Sequence, residues 1–423
     1  MKALVVGSGG REHVLCWALS RSATVYCAPG NPGTAAVGTN LAVDPGDHAA
    51  VIGAVEEHAI DLTVIGPEAP LVDGLVDDLA AKGHRAFGPT AAAARIEGSK
   101  AFSKEIMFAA GVPTAASRTF TEEAAALDYI ASHDEPLVVK ASGLAAGKGA
   151  IVCETRSEAA QAAREMFGGK FGDAGSTVVV EEYLAGEELS ILALTNGEQV
   201  MLLPASQDHK RIGEGDTGPN TGGMGAYTPV SIASPELLEQ VERDVIRPVL
   251  AELAARGAPY SGVLYAGLML GEDGSSKVLE FNCRFGDPEA QVVLPAADLD
   301  LADHLWRIAA GEQWSPPSVW PAARAAVTTV VAAPGYPASP TKGAEIVLPE
   351  LPPDTLLFHA GTKLDDAGAL RTAGGRVLSA TGLGPDVPQA AEASRSLAEQ
   401  IQFEGRQYRR DIAWREVARA GAA

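Results

Sequence analysis

The chain has 423 residues, a hydrophobic fraction of 46% and an aromatic fraction of 5%, which predicts two to four globular domains and excludes a largely disordered protein. Its formal net charge of −21 argues against binding to nucleic acid or to an anionic membrane. Any anionic substrate must therefore be held by a local group of lysines, arginines and backbone N–H groups.

The cysteines and the apolar segments exclude further classes of protein. The four cysteines have no C-x-x-C spacing and no paired histidines, so the sequence predicts neither a zinc site nor a disulfide framework. No apolar run approaches the ~18 residues needed to span a bilayer, and no signal-peptide pattern is visible. We expect a soluble cytoplasmic protein.

The first hundred residues predict a doubly wound parallel α/β unit. An apolar strand at 3–6 leads into Gly7-Ser8-Gly9-Gly10-Arg11-Glu12, and helical spacing follows. The dinucleotide fingerprint G-x-G-x-x-G is broken because Glu12 stands where the third glycine belongs, which disfavours an oxidoreductase. A second strand at 62–65 ends near Glu68, at the edge where open α/β sheets bind ligands. Glu68 is either a ligand contact or a solvated turn carboxylate.

The next segment predicts a helix with Ser99 as its N-cap, and then a strand followed by a glycine loop. The strand ends in Lys140, and the loop is Gly143-Leu144-Ala145-Ala146-Gly147-Lys148-Gly149. It is not a Walker A motif, because its spacing is one residue short and Gly149 replaces the required Ser or Thr. The loop suits a flap that brings Lys148 to ATP phosphates as a point charge. The alternative is a solvent-exposed hairpin.

Two later segments predict nucleotide contacts and a functional loop. A strand at 177–180 leads into Glu181-Glu182-Tyr183-Leu184, and a second strand covers 189–194. In such a segment backbone groups can bind an adenine, and a carboxylate can accept both ribose hydroxyls. After Ser206-Gln207-Asp208-His209-Lys210-Arg211, the glycine-rich stretch 213–225 has no periodicity, which is typical of a functional or mobile loop.

A late strand carries two oxygen ligands suited to a metal ion. Apolar and polar residues alternate loosely over 278–284, so Glu280 and Asn282 should share one face, with Cβ atoms about 7 Å apart. A carboxylate and an amide oxygen suit Mg²⁺, which takes its other ligands from water and substrate phosphates. Arg284 could hold an anion beside them. The alternative is an ordinary half-exposed strand. A strand at 260–270 should pair with this one through a short turn.

The last quarter of the chain predicts a small β-rich unit beyond a junction at 311–322, where prolines and tryptophans interrupt regular structure. We predict strands or short β segments at 325–332, 358–363 and 374–378, a helix at 386–402, and a surface strand or turn at 408–412. The predicted domains are 1–102, 103–310 with a flap subdomain at about 120–193, and 323–420.

Taken together, these motifs resemble the ATP-grasp superfamily in order and spacing: Lys104, Lys140 with its glycine loop, Glu181 to Leu184, and Glu280 to Asn282. Seven stretches resemble, more narrowly, the phosphoribosylamine–glycine ligase family, over Met1 to about Trp414. They are residues 7–13 (GSGGREH), 66–71 (GPEAPL), 144–149 (LAAGKG), 206–211 (SQDHKR), 218–225 (GPNTGGMG), 280–289 (EFNCRFGDPE) and 358–363 (FHAGTK).

The resemblance implies a fold and a reaction. The fold is α/β and α+β multidomain: an N-terminal doubly wound parallel sheet, a central ATP-grasp fold with a mobile flap subdomain, and a small β-rich C-terminal domain. The reaction joins glycine to 5-phosphoribosylamine through a glycyl phosphate, giving glycinamide ribonucleotide, ADP and phosphate in de novo purine (IMP) biosynthesis. The implied cofactors are ATP and Mg²⁺ or Mn²⁺, and we expect a monomer.

The resemblance also implies roles for single residues. Glu280 and Asn282 would hold the metal. Arg284 would bind the glycine carboxylate or its acyl phosphate, and Lys148 is a second catalytic candidate. The nucleotide would be bound by Lys104, Lys140, Gly147, Lys148, Gly149, Glu181, Glu182, Leu184 and Glu188. The phosphosugar would be bound by Gly9, Gly10, Arg11, Glu68, Asp208, Lys210, Lys363 and Arg376.

Several alternatives stay open at this level. Arg284 could instead form a structural ion pair with Asp287 or Glu289, and His209 could be structural rather than catalytic. Many superfamily members carry a metal carboxylate on the strand before E-x-N; here that strand reads 264–268 (LYAGL), so a second ion would be held weakly or mostly by ATP. Rival functions are another ATP-grasp ligase or a biotin-dependent carboxylase, and a non-catalytic nucleotide-binding regulator.

Overall fold

The computed structural model describes residues 1–145 and 148–422. Its N-terminal part is a five-stranded parallel sheet in the order β3-β2-β1-β4-β5. Helices cover the sheet, which is why residues 3–6 of β1 are all apolar and β4 is buried along its whole length. The elements are β1 (Lys2–Gly7), α1 (Gly10–Leu19), β2 (Thr24–Pro29), α2 (Thr34–Val37), β3 (Thr39–Asn40), α3 (His48–Glu57), β4 (Leu62–Ile65), α4 (Glu68–Val72), α5 (Leu75–Ala81), β5 (Ala86–Phe87) and α6 (Ala91–Gly98).

A small antiparallel sheet follows, in the order β6-β9-β7-β8, with its own apolar core under two helices. The helix that precedes it begins as predicted, because the Ser99 hydroxyl accepts the N–H of Phe102 (3.2 Å). The elements are α7 (Lys100–Ala109), β6 (Ser117–Phe120), α8 (Glu123–Ser132), β7 (Leu137–Ala141), β8 (Ala150–Cys153), α9 (Arg156–Glu165) and β9 (Val178–Glu182), with a π-helical turn at Met166–Lys170 and a 3₁₀ turn at Gly172–Gly175.

The central part is built on a second antiparallel sheet, β11-β10-β16-β17. The predicted pairing of the last two strands is confirmed. The elements are β10 (Glu187–Thr195), β11 (Val200–Leu202), β12 (Gln207–Asp208), β13 (Arg211–Gly213), β14 (Thr217–Asn220), β15 (Gly225–Thr228), α10 (Pro235–Val241), a π-helical segment (Glu242–Ile246), α11 (Arg247–Ala255), β16 (Gly262–Leu270), β17 (Ser276–Asn282), α12 (Ala290–Ala297) and α13 (Leu301–Ala310).

The C-terminal part shares a sheet with the central part. This sheet has the order β12-β15-β18-β22-β19, and β15 pairs antiparallel with β18 from Gly225–Thr329 to Thr228–Ala326. Residues 206–228 are therefore paired, through β15, with a strand that comes about a hundred residues later in the chain. The elements are β18 (Ala325–Ala332), β19 (Thr355–His359), β20 (Thr362–Leu364), β21 (Leu370–Thr372), β22 (Arg376–Gly384), α14 (Val387–Gln400) and α15 (Trp414–Ala422).

The prediction of a surface strand or turn at 408–412 is wrong for Arg409. Arg409 has no exposed surface. Its guanidinium donates to Asp216 (2.8 Å) and to Asp411 (2.8 and 2.7 Å), and these bonds allow a permanent charge to be buried. Among the described residues, no helix combines the length and apolarity needed to cross a bilayer.

Candidate active site

A cleft of about 450 Å³ lies where the N-terminal part, the small β6-β9-β7-β8 sheet and the central part meet. Each part contributes charged side chains to it. The lining includes many of the predicted residues: Glu68, Lys104, Lys140, Gly149, Glu181, Glu182, Leu184, Glu188, Asp208, Lys210, Glu280, Asn282 and Arg284.

Three buried charges lie together at one end of the cleft. Glu181, on β9, lies between two lysines, with its Oε2 2.8 Å from Lys140 Nζ and its Oε1 3.2 Å from Lys104 Nζ. The second contact lacks hydrogen-bond geometry, so Oε1 has no hydrogen-bond partner in the described part of the chain. Burial lowers the pKa of Lys104 to about 8, although Glu181 opposes this shift. Two ammonium groups against one carboxylate leave a buried positive charge that a phosphate would neutralise.

The predicted metal pair lies on β17. Glu280 and Asn282 are both half-buried and both line the cleft, as expected for residues two apart on one strand. Burial would raise the pKa of Glu280, but Lys210, Lys100 and other nearby cations hold it below its ordinary value, so the carboxylate is ionised at neutral pH.

These two side chains fit a cation that completes its shell from the substrate. Within residues 1–145 and 148–422, no group of three or more His, Cys, Asp or Glu side chains forms a ready-made metal site. One carboxylate and one amide oxygen are few ligands for Ca²⁺ or Zn²⁺, but Mg²⁺ commonly binds through one or two protein groups plus phosphates and water. The donor set therefore suits a nucleotide-bound divalent ion.

Arg284 follows the end of β17, and carboxylates that the sequence did not indicate fix its orientation. Its Nη2 lies 3.0 Å from Glu97 Oε1, and its Nε lies 3.5 Å from Glu68 Oε2. The partners are thus not Asp287 or Glu289. Burial would lower the pKa of Arg284, but Glu97 and Glu68 raise it above the ordinary value. Its Nε is buried, faces Glu68 and has no hydrogen-bond partner in the described residues.

The N-terminal glycine loop holds an anion from its own helix. The carboxylate of Glu12 accepts the N–H of Gly9 (2.5 Å) and the Nε–H of Arg11 (2.7 Å). A Cβ added at Gly66 would lie 2.2 Å from this carboxylate, so that glycine leaves room for it. Glu12 therefore occupies the helix N-terminus that would receive a pyrophosphate in a dinucleotide-binding protein.

Glu68 lines the cleft as one member of a charged group. Arg11 Nη1 lies 3.9 Å from its Oε2, on the side away from Glu12. Burial would raise the pKa of Glu68, but Arg284 and Arg11 lower it below its ordinary value. Glu68 is therefore an ionised carboxylate of the cleft rather than a solvated residue of a turn.

Asp208 and Lys210 also reach the cleft, whereas His209 between them points away. The ammonium of Lys210 pairs with Glu188. Burial and the neighbouring carboxylates raise the pKa of Asp208 above its ordinary value, although Lys210 opposes this. The His209 side chain is buried, and its Nε2 accepts the N–H of Ala413 (2.9 Å), which favours the structural alternative.

The remaining predicted residues are not part of the described lining. Lys148 is exposed and donates to the carbonyl of Pro337 (3.1 Å). Lys363 is exposed on β20. Arg376 binds Asp287, a cleft residue, instead of facing the cleft itself. Gly9, Gly10 and Arg11 lie behind Glu68, and Gly147 falls outside the described residues.

Several cleft residues were missed at the sequence level. They include Glu97, Lys100, Asp287 and Arg415. Glu97 sits in the alanine-rich helix α6, where its spacing marks an ordinary helical position. Only the contact with Arg284, which is distant in the sequence, reveals its role.

Comparison with known proteins gives the family. The models of phosphoribosylglycinamide synthetase match the chain in three consecutive parts: the N domain over residues 1–97, the ATP-grasp (A) domain over 98–290 and the C domain over 326–415. The chain belongs to the phosphoribosylglycinamide synthetase family. Curated relatives agree along the whole length. The phosphoribosylamine–glycine ligase of Agrobacterium fabrum is 46% identical over 426 residues, covering 100% of both chains, and that of Salmonella typhimurium is 47% identical over 99% of both.

Solved structures support the same fold. The phosphoribosylamine–glycine ligase of Thermotoga maritima superposes with a TM-score of 0.85 at 35% identity, covering 97% of this chain and 100% of that one. The biotin carboxylase domain of a Hydrogenobacter thermophilus 2-oxoglutarate carboxylase, at 19% identity and a TM-score of 0.72 over 96% and 91% of the two chains, shares the fold alone. The predicted family, the mixed α/β multidomain fold and the class of enzyme, a phosphoribosylamine–glycine ligase of the phosphoribosylglycinamide synthetase family, are confirmed.

Proposed function

We propose that this member of the phosphoribosylglycinamide synthetase family phosphorylates glycine with ATP and a divalent cation, Mg²⁺ or Mn²⁺, and transfers the glycyl group to the amine of 5-phosphoribosylamine. The products are glycinamide ribonucleotide, ADP and phosphate. The observation that carries the proposal is the convergence on one cleft of the Lys104–Glu181–Lys140 group, the Glu280–Asn282 pair and the orienting carboxylates of Arg284. We further propose that the enzyme acts as a cytoplasmic monomer, with domains at 1–102, 103–310 and 323–420.

The nucleotide is assigned to the end of the cleft formed by α7, β7 and β9. Lys104 and Lys140 bind its phosphates, because they are the buried cations there. Glu182, Glu188 and the backbone at Leu184 bind the adenosine, whereas Glu181 stays between the two lysines. Lys148 and Gly149 belong to the loop over the phosphates, and Lys148 reaches them by leaving the carbonyl of Pro337. The chemistry is mostly positioning and charge neutralisation, since phosphoryl transfer needs little covalent help from a protein.

Glu280 and Asn282 are the residues that would hold the cation. A bound divalent ion stabilises charge on the transferring phosphoryl oxygens. Lys100, Lys140 and Lys210 already keep Glu280 ionised, so the carboxylate needs to lose no proton before it binds a cation.

Glycine is assigned to Arg284. The guanidinium lies on the cleft wall and binds the substrate carboxylate, and later its acyl phosphate. Glu97 and Glu68 hold the guanidinium plane in place, and the N–H of Cys283 donates to Glu97 Oε2 (2.7 Å) and fixes that carboxylate in turn.

The phosphosugar is assigned to the side of the cleft that carries Glu68, Asp208 and Lys210. Arg11 and Arg376 lie directly behind this side, bound to Glu68 and Asp287. Gly9, Gly10 and Lys363 are the more distant candidates. An acidic wall beside two arginines suits a ligand with an amine, hydroxyl groups and a phosphate.

The decisive experiment measures ADP formation in the presence of glycine, freshly prepared phosphoribosylamine, or both. ADP and glycinamide ribonucleotide that appear together only when both substrates are present support the proposal. Bicarbonate in place of glycine is the control for a carboxylase. ADP formation that is driven by bicarbonate and indifferent to glycine contradicts the proposal.

A further inference from the structure

The C-terminal part of the chain binds both backbone polar groups of one residue of the cleft wall. The N–H of Gly222, a cleft residue, donates to the hydroxyl of Tyr336 (2.9 Å). Its carbonyl accepts a hydrogen bond from Arg376, whose Nη1 also donates to the carbonyl of Asp287 (2.7 Å). A Cβ added at Gly222 would lie 3.2 Å from Arg376 Cζ and 3.3 Å from the Tyr336 hydroxyl, so a methyl group there requires these two side chains to shift by a few tenths of an ångström.

The residue before Gly222 connects this contact to the backbone of Lys210. The preceding residue, Thr221, is buried, and both its N–H and its hydroxyl donate to the carbonyl of Lys210 (2.7 and 2.8 Å). The N–H of Gly223 donates to the Thr221 hydroxyl in turn (3.0 Å). The Tyr336 hydroxyl thus fixes the strand segment from which Lys210 and Asp208 reach the cleft.

Tyr336 itself is not among the described residues that line the cleft. It is half-buried in the turn that follows β18, and its ring packs on Gly375, where an added Cβ would lie 2.5 Å from Tyr336 Cδ2. The ring is therefore positioned by the C-terminal sheet, and the hydroxyl is the part that reaches the central part of the chain.

We propose that Tyr336 is a positioning residue for the capture of the glycyl group by the amine. It acts by holding the Gly222 peptide, and through it Lys210, in the geometry that binds phosphoribosylamine. This inference rests on the proposed function above. Lys210 also pairs with Glu188, which is assigned to the adenosine. The phosphate end of the cleft depends on other contacts, because Glu181 is ion-paired with Lys104 and Lys140, and these lysines donate to Thr114 and to the carbonyl of Leu279.

The test is Tyr336→Phe, which keeps the ring on Gly375 and removes only the hydroxyl. We expect the KM for phosphoribosylamine to rise about three- to tenfold, the range that one lost hydrogen bond produces. The KM values for ATP and glycine should stay within about twofold. Phosphate released per glycinamide ribonucleotide formed should rise above one, because an acyl phosphate that is not captured is hydrolysed.

Two further variants sharpen the test. Tyr408→Phe is the matched control, since Tyr408 is another half-buried tyrosine of the C-terminal part whose ring lies beside Arg406, and it should behave as wild type. Gly222→Ala places a methyl group against the Tyr336 hydroxyl and Arg376, and it should also raise the KM for phosphoribosylamine. Combining it with Tyr336→Phe should cost less than the two effects multiplied, because the hydroxyl that the new methyl meets is then absent.

The outcomes separate the two proposals. An unchanged KM for phosphoribosylamine and an unchanged phosphate ratio in Tyr336→Phe overturn the inference while leaving the reaction intact. An equal rise in all three KM values together with a lower melting temperature would also overturn the inference, because it would show that the substitution destabilises the whole fold. A wild-type enzyme that needs no phosphoribosylamine overturns the proposed function instead.

Discussion

Glu181 Oε2 lies 2.8 Å from Lys140 Nζ in a part of the cleft where both side chains are buried. This carboxylate also faces Lys104 and is the nearest negative charge to two lysines that are otherwise set to repel each other. Glu181 therefore maintains a positive site until a nucleotide arrives. The first two predictions follow from this group.

Replacing Glu181 with Gln should destabilise the free enzyme and make ATP a stronger stabiliser. Removing one partner of a buried ion pair costs about 3–5 kcal/mol, and ATP phosphates should restore part of it. Denaturant unfolding with and without ATP measures both effects. Glu182→Gln is the control: Glu182 pairs with Lys277 nearer the surface, so its loss should cost under about 1 kcal/mol. Equal effects of the two changes would contradict the role given to Glu181.

The pKa of Lys104 predicts a pH dependence. Burial lowers it from 10.5 to about 8, and the protonated form binds phosphate, so kcat/KM for ATP should fall as pH rises through about 8. The effect of Lys104 on the free energy of unfolding has the opposite sign. An unfolded lysine keeps its proton to about pH 10.4. The cost of burying the Lys104 charge is therefore relieved, and stability rises, as the pH rises from about 8 to 10. A Lys104→Arg variant stays charged and should lack the decline. A wild-type kcat/KM that is flat to pH 9.5 would count against the assignment.

Removing the Glu280 carboxylate should abolish the part of ATP affinity that depends on the divalent cation. Glu280→Ala should weaken ATP binding about tenfold or more in Mg²⁺ and little in EDTA, because Glu280 would hold the cation that neutralises the ATP phosphates. Calorimetric titration in both buffers measures the difference. Glu272→Ala, in the exposed turn before β17, is the control. ATP affinity that is unchanged in Glu280→Ala would contradict the metal assignment.

Arg409 should be among the most stabilising charged residues of the chain. Arg409→Met leaves Asp216 and Asp411 without their buried partner and should lower the free energy of unfolding by about 3–5 kcal/mol. Arg410→Met removes the exposed neighbour and should change it by no more than about 0.5 kcal/mol. Thermal or denaturant unfolding compares the two, and similar losses would show that the buried network contributes little.

The sequence was informative wherever a local rule decides the outcome. Alternation on a strand was enough to predict that Glu280 and Asn282 lie side by side, and N-cap chemistry was enough to predict the helix after Ser99. The broken glycine fingerprint disfavoured an oxidoreductase, and the structure shows the Glu12 carboxylate accepting the N–H of Gly9 at that helix N-terminus.

The sequence was uninformative wherever a contact joins distant segments. The partner of Arg284 is Glu97, from a helix almost two hundred residues earlier, whereas the sequence suggested only Asp287 or Glu289 as alternative ion-pair partners. Arg409 was expected at the surface because lone arginines usually are. Its burial depends on Asp216 from a hairpin that the tail reaches only in the folded chain.

The sheet in which β15 pairs with β18 has a practical consequence for handling this chain. A fragment that stops at the proline-rich junction would leave β15 with bare backbone donors and acceptors along one side, and such an unpaired edge recruits other chains. We therefore expect the first three hundred residues to aggregate when expressed alone. Attempts to trim the enzyme or to swap its last quarter with that of a relative should carry residues 206–228 along with the exchanged piece.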